Sequence, residues 1–416
     1  MVIPGLNLVN LDGENGFTIL GSESYSNGTV STGDLNGDDF SDLIISTADS
    51  DEGRGKVYVV FGTEASFDPS FDLTSLDGNN GFTIPGIGEY NWLGEALASG
   101  GDLNGDGFDD LVIGAVSAGK TVSENDTEYS QEQGEVYVIF GTEAGFDTSF
   151  DLTSLNGDNG FTIPGINKND RLGNLIDLAG DINGDGFDDL VVSGESNGKA
   201  YVIFGTEAGF DASFDLTSLD GNNGFTIPGI NGMYALSSSS SHAGDLNGDG
   251  LSDLAISSFA DEKIYVIFGT EAGFDANFDL TSLNGDNGFT IASSNQENRL
   301  GDAVSNAGDL NGDGLSDLII GAPWSGETAD ENYGLGRGKA YVIFGTEDGF
   351  DANFDLNSLD GENGFAISGI DIDDNLGDAV SNAGDLDGDG LDDLIISAPS
   401  AEESIKLSNQ QSDRQN

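Results

Sequence analysis

The chain has 416 residues, with 75 acidic against 12 basic side chains and a formal net charge of -63. This excess of carboxylates disfavours nucleic acid and anionic membrane surfaces as partners, because both require clustered Lys and Arg, and it favours cations. The absence of cysteine excludes disulfides, thiol catalysis and zinc–thiolate sites, and no apolar run is long enough to span a bilayer.

Three motifs then recur along the chain in a fixed order. A Phe-Thr-Ile strand follows a Gly-rich turn, and its copies begin at Phe17, Phe82, Phe161, Phe225, Phe289 and, as Phe-Ala-Ile, Phe365. An acidic loop of nine residues begins at Asp34, Asp102, Asp181, Asp245, Asp309 and Asp385. A Tyr-Val-(Val/Ile)-Phe-Gly strand begins at Tyr58, Tyr137, Tyr201, Tyr265 and Tyr341.

The spacing of these motifs confines length variation to one connection per repeat. Each Tyr is followed by the next acidic loop after 44 residues, whereas the step from loop to Tyr is 24, 35, 20, 20 or 32 residues. Insertions confined to one connection lie on one face of a repeat protein. We therefore expect the variable segments, within 115–135 and 322–339, to share a face that excludes the acidic loops.

Each repeat reads as four short strands, A to D, rich in β-branched and aromatic residues. They are typified by 300–304 for A, 318–320 for B, 340–344 for C and 289–291 for D. Four strands per repeat predict an all-β propeller of six blades, with an open β-solenoid as the alternative. The predicted blades are 21–84, 85–163, 164–227, 228–291, 292–367, and 368–407 together with 1–20, all within one domain. The N-terminal strand is expected to pair with the C-terminal strands and close the ring.

The acidic loops have the donor spacing of calcium sites. Side-chain oxygens fall at positions 1, 3, 5 and 9, and the main-chain carbonyl of position 7 is also available. An EF-hand is excluded, because position 12 is Ile or Val. An Asp/Asn-rich turn without metal is the alternative, and mutual repulsion of the carboxylates disfavours it. The predicted ligands, for about six Ca²⁺ ions, are Asp34, Asn36, Asp38, Phe40, Asp42, Asp102, Asn104, Asp106, Phe108, Asp110, Asp181, Asn183, Asp185, Phe187, Asp189, Asp245, Asn247, Asp249, Leu251, Asp253, Asp309, Asn311, Asp313, Leu315, Asp317, Asp385, Asp387, Asp389, Leu391 and Asp393.

Two loops depart from the common pattern. The first has Asp39 at position 6, where the others have Gly. Because Asp tolerates a left-handed backbone less well than Gly, we expect this site to be the weakest. The sixth has Asp387 where the others have Asn, so its extra charge predicts one of the tighter sites.

The combined motifs resemble FG-GAP repeats. The resemblance rests on the Leu-Gly pair, the D-x-(N/D)-G-D-x-x-x-D loop, the stretch from Leu318 to Pro323, and Tyr-Val-Ile-Phe-Gly. FG-GAP repeats build the propeller of integrin α subunits and of many bacterial extracellular proteins. The resemblance therefore implies seven blades, an adhesion or recognition role, and an extracellular or cell-surface location, although residues 1–10 lack the pattern of a signal peptide.

A ligand surface is expected on the face that carries the B–C and D–A connections. Aromatic and basic residues there suit a protein or glycan ligand, and packing beneath the loops is the alternative interpretation. The candidate residues are Tyr90, Trp92, Arg171, Tyr234, Arg299, Trp324 and Tyr333. His242 has no repeated counterpart and is interpreted as structural.

Three functions are compatible with these features. The preferred one is a non-enzymatic, calcium-stabilised extracellular recognition module. The second is a polysaccharide hydrolase or lyase, because a catalytic carboxylate pair could lie unnoticed among so many acidic residues. The third is a structural spacer in a surface layer or adhesin. A monomer and a segment of a longer chain both fit the sequence.

Overall fold

The computed structural model describes residues 11–13, 15–20, 28–119, 132–194, 198–229, 240–258, 262–292, 299–326 and 336–401. Within these ranges the fold is all-β, as predicted, with one helical turn at Ser50–Gly53 and five short 3₁₀ turns. The 3₁₀ turns are Leu73–Ser75, Leu152–Ser154, Leu216–Ser218, Leu280–Ser282 and Leu356–Ser358. No helix in the described ranges has the length and hydropathy needed to cross a bilayer.

The strands are short and are numbered in chain order. They are β1 (Thr18–Leu20), β2 (Val30–Gly33), β3 (Asp42–Ser46), β4 (Lys56–Val60), β5 (Ser70–Asp72), β6 (Gly81–Pro85), β7 (Leu93–Ser99), β8 (Leu111–Ala115), β9 (Glu135–Ile139), β10 (Gly160–Pro164), β11 (Leu172–Gly180), β12 (Asp189–Gly194), β13 (Ala200–Ile203), β14 (Gly224–Ile227), β15 (Ser240–Gly244), β16 (Asp253–Ser258), β17 (Lys263–Ile267), β18 (Gly288–Ala292), β19 (Val304–Gly308), β20 (Asp317–Ala322), β21 (Lys339–Ile343), β22 (Asn353–Phe354), β23 (Gly364–Ser368), β24 (Val380–Gly384) and β25 (Asp393–Ile396).

Five antiparallel sheets repeat the same A-B-C-D order, which confirms the predicted four-stranded unit. They are β2-β3-β4-β6, β7-β8-β9-β10, β11-β12-β13-β14, β15-β16-β17-β18 and β19-β20-β21-β23, here called blades 1 to 5. The pair β24-β25 supplies strands A and B of blade 6. These sheets fit a β-propeller architecture.

The apolar cores lie between neighbouring blades. In blade 2, Ile113 and Tyr137 pack towards blade 1, whereas Val112 and Val138 pack towards blade 3. Side chains on alternate residues therefore bury both faces of each central strand, as expected for a sheet covered on both sides. Stacked Phe pairs join the blades as well, for example Phe161 and Phe210, whose ring centroids are 4.3 Å apart.

One predicted strand was placed too early. Strand A of blade 5 was expected at 300–304, but β19 begins only at Val304. The preceding residues form a turn, because Gly301 has φ +84° and the Asp302 N–H donates to the Arg299 carbonyl oxygen at 3.3 Å. Beside this turn, the Gly301 N–H still donates to the Gly321 carbonyl oxygen of β20 at 2.9 Å, so the segment keeps a contact with strand B.

Ring closure is not found among the described residues. Strand β1 pairs in parallel with β5, through Thr18 and Ser70, and β24-β25 forms a separate two-stranded sheet. Equivalent parallel bridges, such as Thr162 to Ser213, join strand D of each of blades 1 to 4 to the next blade. Strand β1 thus has the position of a D strand that precedes blade 1. The substitute for strand C of blade 6, at 405–407, lies outside the described residues.

Candidate metal centres

The first Asp of each acidic loop organises the loop backbone. In the third loop, Asp181 Oδ1 accepts the N–H groups of Gly184 at 2.7 Å and Asp185 at 3.2 Å, and its Oδ2 accepts that of Gly186 at 2.8 Å. At position 3, Asn183 Oδ1 accepts the Asp185 N–H at 2.8 Å. Such side-chain to backbone bonds fold a short Asp/Asn-rich segment into a tight turn. The predicted oxygen donors therefore share one compact loop.

Position 6 of every loop requires a left-handed backbone. Gly186 has φ +91°, and Asp39 in the first loop has φ +68°. A Cβ added at Gly186 would meet no atom within 4 Å, so only the backbone conformation distinguishes Gly from Asp there. Asp39 therefore occupies the conformation in which sequence reasoning expected strain.

In the first five loops, the Asp at position 9 is buried and holds the loop against the end of strand C. Asp189 accepts the Ile182 N–H with Oδ2 at 3.0 Å and the Gly205 N–H with Oδ1 at 3.0 Å. Burial raises the pKa of the carboxyl group at position 9 of these loops. This pKa is about 8 for Asp110, Asp189 and Asp253, about 7 for Asp42 and about 6 for Asp317. Nearby loop carboxylates raise these pKa values further. A bound divalent cation would offset both effects.

The sixth loop brings three carboxylates together. One oxygen from each of Asp385, Asp387 and Asp393 lies within 4.8 Å of the other two. These residues hold positions 1, 3 and 9, and the other loops have Asn at position 3. Carboxylate, amide and carbonyl oxygens are the donor set that Ca²⁺ prefers. The residues present therefore fit a calcium ion, and the individual ligands remain predictions.

Sequence reasoning missed a chain of contacts that joins successive loops. Asp109, at position 8 of the second loop, accepts the Asp34 N–H with its carboxylate at 2.7 Å. The Asp109 N–H also donates to the Asp34 carbonyl oxygen at 3.1 Å. Asp188 and Asp392 make the same carboxylate contact with Asp102 and Asp309, each at 2.8 Å. The sequence feature that could have indicated this contact is position 8, which is Asp or Ser in every loop.

The opposite face is built from the B–C and D–A connections, which contact each other, and is here called the variable face. Arg54 Nη2 lies 2.8 Å from Glu89 Oε1, joining the B–C connection of blade 1 to the following D–A connection. The Trp92 N–H donates to the Gly53 carbonyl oxygen at 2.9 Å. Arg171 Nε lies 3.3 Å from Glu132 Oε2.

Of the predicted ligand residues, Tyr90 is exposed, whereas Trp92, Arg171, Arg299 and Trp324 are half-buried. The Arg299 guanidinium lies over the Trp324 ring, 4.6 Å from its centroid. These two residues thus pack against each other on the variable face. Tyr234 and Tyr333 lie outside the described residues.

Left-handed residues, exposed isoleucines and basic residues concentrate on the variable face. The residue before each described Leu-Gly pair has positive φ, as at Trp92, Arg171, Arg299 and Asn375. An exposed isoleucine recurs at equivalent D–A positions, namely Ile87, Ile166 and Ile370. All the Lys and Arg residues within the described ranges lie in these connections or at the start of a strand C, namely Arg54, Lys56, Lys168, Arg171, Lys199, Lys263, Arg299, Arg337 and Lys339.

His242 lies beside an inter-loop contact rather than in a site of its own. Its Nε2 is 3.2 Å from Ser252 Oγ, at position 8 of the fourth loop, and its main-chain N–H donates to Asp177 Oδ2 at 2.9 Å. Burial lowers the pKa of the imidazole. These contacts support the interpretation that His242 is structural.

The matches to a known repeat family fall on the same repeats. The FG-GAP repeat profile matches residues 26–60, 93–139, 176–203, 300–343 and 376–404. Integrin alpha-4 of Xenopus laevis is 28% identical over 228 residues, covering 54% of this chain and 19% of that protein. Phosphatidylinositol-glycan-specific phospholipase D of Bos taurus is 32% identical over 167 residues, covering 39% and 18%. A rhamnogalacturonan lyase structure aligns over 77% of this chain and 49% of its own, with a TM-score of 0.33 and 15% identity.

The sheets and loops together define a repeat protein built from propeller-type blades. The chain carries five matches to the FG-GAP repeat and is similar in these repeats to integrin α subunits. It spans about a fifth of the length of the curated relatives it matches.

Proposed function

We propose that this protein is a non-enzymatic, calcium-stabilised recognition module that acts outside the cell or at its surface. In this proposal, each acidic loop binds one Ca²⁺ through its position 1, 3, 5 and 9 side chains and its position 7 carbonyl. The buried position-9 carboxylate supports that role, because a cation beside it offsets the cost of burying its charge. The ions stabilise the blades, and the partner binds elsewhere.

The variable face is the proposed binding surface for an extracellular protein or glycan. The supporting observation is that the exposed Ile87, Ile166 and Ile370, together with Tyr90 and every described basic residue, lie on this face. Left-handed non-Gly residues also cluster there, and such strained backbone is often retained at functional sites. Exposed apolar groups beside fixed charges provide both contact area and orientation.

A binding array tests this proposal. The calcium-loaded protein is applied to immobilised extracellular-matrix proteins and glycans, alongside the Ile87→Ser and Tyr90→Ala variants. We expect each variant to weaken binding about tenfold or more, as for a residue near the centre of an interface. The matched control is Ala208→Ser, an exposed C–D position on the acidic-loop face, which should bind like the wild type.

The same array separates the other functions. Binding unchanged in the Ile87→Ser and Tyr90→Ala variants would remove the variable face as the ligand surface. No binding to any probe would favour a structural spacer. Release of soluble fragments from a polysaccharide probe would instead identify a hydrolase or lyase.

A further inference from the structure

The junction between neighbouring blades follows one rule throughout the array. The position-7 side chain of each acidic loop lies over the position-4 Gly of the preceding loop, and a Cβ at Gly105 would come within 2.2 Å of the Phe187 ring. The N–H of position 8 donates to the position-1 carbonyl of that preceding loop, as from Asp188 to Asp102 at 3.1 Å. The N–H of Thr206, after strand C, donates to the carbonyl oxygen of Leu103, at position 2, at 2.8 Å.

The first four junctions bury the apolar position-2 residue of the preceding loop. Leu35, Leu103, Ile182 and Leu246 are at most 1% exposed. The innermost strands pack in series at the same junctions, in the order β2, β7, β11, β15, β19, β24. Every internal junction is therefore made by the trailing side of one blade and the leading side of the next.

The trailing side of blade 6 is uncovered in the described structure. Leu386, its position-2 residue, is 71% exposed, and Ile395 in β25 is 57% exposed. A Cβ at Gly388, its position-4 residue, would meet no atom within 4 Å. An apolar surface that is buried or half-buried at every internal junction is thus presented to solvent at this end.

The leading side of blade 1 is uncovered in the corresponding way. Val30 in β2 is 66% exposed, and Phe40, at position 7 of the first loop, is 41% exposed. Thr63 is exposed, whereas its counterparts Thr142 and Thr206 are half-buried. Strand β1 extends this end further, since Phe17 stacks on Phe67 with centroids 4.3 Å apart, as the D-strand Phe does at the internal junctions.

We propose that the two ends of the array bind each other between two copies of this chain, head to tail. Val30 at one end and Leu386 and Ile395 at the other are exposed in the same structure, so both ends are open in one chain at once. A second copy can place its Phe40 on Gly388, its Ser41 N–H against the Asp385 carbonyl, and its Thr63 N–H against the Leu386 carbonyl. Its β1 then has the position of strand D in blade 6.

Such an interface is heterologous, because the two contact surfaces differ. It continues the junction that the chain already makes five times, from blade 1 to blade 6. Association of this kind adds copies one after another unless the assembly closes into a ring.

The test uses one variant for each end of the full-length chain in calcium. Leu386→Asp places a charge on the trailing side, and Val30→Asp places one on the leading side. Both side chains are exposed, so each variant should keep the fold, as circular dichroism would verify. Ala208→Asp, at an exposed position in the C–D connection of blade 3, is the control for added charge.

Light scattering over a wide range of protein concentration gives the readout. We expect wild type and Ala208→Asp to grow in mass with concentration and each end variant to stay a single chain. A mixture of the two end variants should form a 1:1 dimer of about twice the chain mass, because each retains the end that the other lacks.

Two results would overturn the proposal. One is a mixture of end variants that shows no dimer while both remain folded. The other is a wild type that stays a single chain at every concentration and loses thermal stability on Val30→Asp or Leu386→Asp. The second result would identify closure of the ring within one chain, as the sequence predicts.

Discussion

The acidic-loop face and the variable face differ in what they repeat. On the acidic-loop face the same hydrogen bonds recur in loop after loop, and no described Lys or Arg lies there. On the variable face the backbone conformation recurs, whereas the side chains change, as at Trp92, Arg171 and Asn375. We infer that the face with recurring side chains stabilises the fold. The face on which only the backbone conformation recurs can change its side chains to suit a binding partner. Removal of calcium and substitutions on each face can test this division.

The largest expected effect is on the acidic-loop face, through removal of calcium. At a free calcium concentration about 100-fold above Kd, each site would add about 2.7 kcal/mol, so six sites would add on the order of 16 kcal/mol. We expect EDTA to lower the melting temperature by tens of degrees, measured by circular dichroism, and excess calcium to restore it. An equal addition of NaCl is the control for ionic strength. Unchanged melting in EDTA would contradict the stabilising role of calcium.

A substitution at one buried ligand should depend on calcium. Asp189→Asn removes the charge at position 9 of the third loop, and we expect it to cost about 3 kcal/mol in calcium, as for a broken buried ion pair. In EDTA the cost should be smaller, because no cation is then left without its carboxylate. Urea unfolding in the two buffers measures both values.

The matched control for Asp189→Asn is Asp188→Asn. Asp188 is the neighbouring position-8 residue, which accepts the Asp102 N–H and is not a predicted ligand. Its substitution should cost the same small amount in both buffers, since Asn keeps one acceptor oxygen. Equal costs of Asp189→Asn in calcium and EDTA would mean that the carboxylate only accepts backbone hydrogen bonds.

These two neighbouring residues also show how far the sequence could predict the site. Asp189 was predictable, because the spacing of oxygen donors within nine residues is a local property of the chain. The role of Asp188 was not, because its partner Asp102 lies 86 residues away and is brought near by blade packing. Four-stranded blades followed from motif order, whereas the start of β19 did not, because a local turn closed by the Asp302 N–H and the Arg299 carbonyl oxygen precedes it. The exposure of the two end surfaces could not be predicted either, because their residues are similar in sequence to those buried at the internal junctions.

A smaller effect is expected on the variable face, and it should be independent of calcium. Arg299→Gln removes the guanidinium over Trp324 and its ion pair with Asp302, whose Oδ2 lies 2.9 Å from Nε. We expect a loss of about 1 kcal/mol, because the pair is half-exposed. Urea unfolding should give the same loss with calcium and with EDTA. A loss that appears only in calcium would mean that the two faces are coupled.

The smallest expected effect separates the first acidic loop from its neighbours. Asp39→Gly places Gly in a left-handed position, and we expect a gain of about 0.5 kcal/mol in the free energy of unfolding, because relief of backbone strain exceeds the entropic cost of Gly. The reverse change in the third loop, Gly186→Asp, should cost about 1 kcal/mol, because the space around Gly186 is open and only its backbone conformation is penalised. Native mass spectrometry over a calcium titration counts the bound ions. The last ion to bind should do so at lower calcium in Asp39→Gly and at higher calcium in Gly186→Asp. If neither substitution shifts that last step, the left-handed residue does not set the order in which the loops fill, and the added charge of Asp387 in the sixth loop becomes the feature to test.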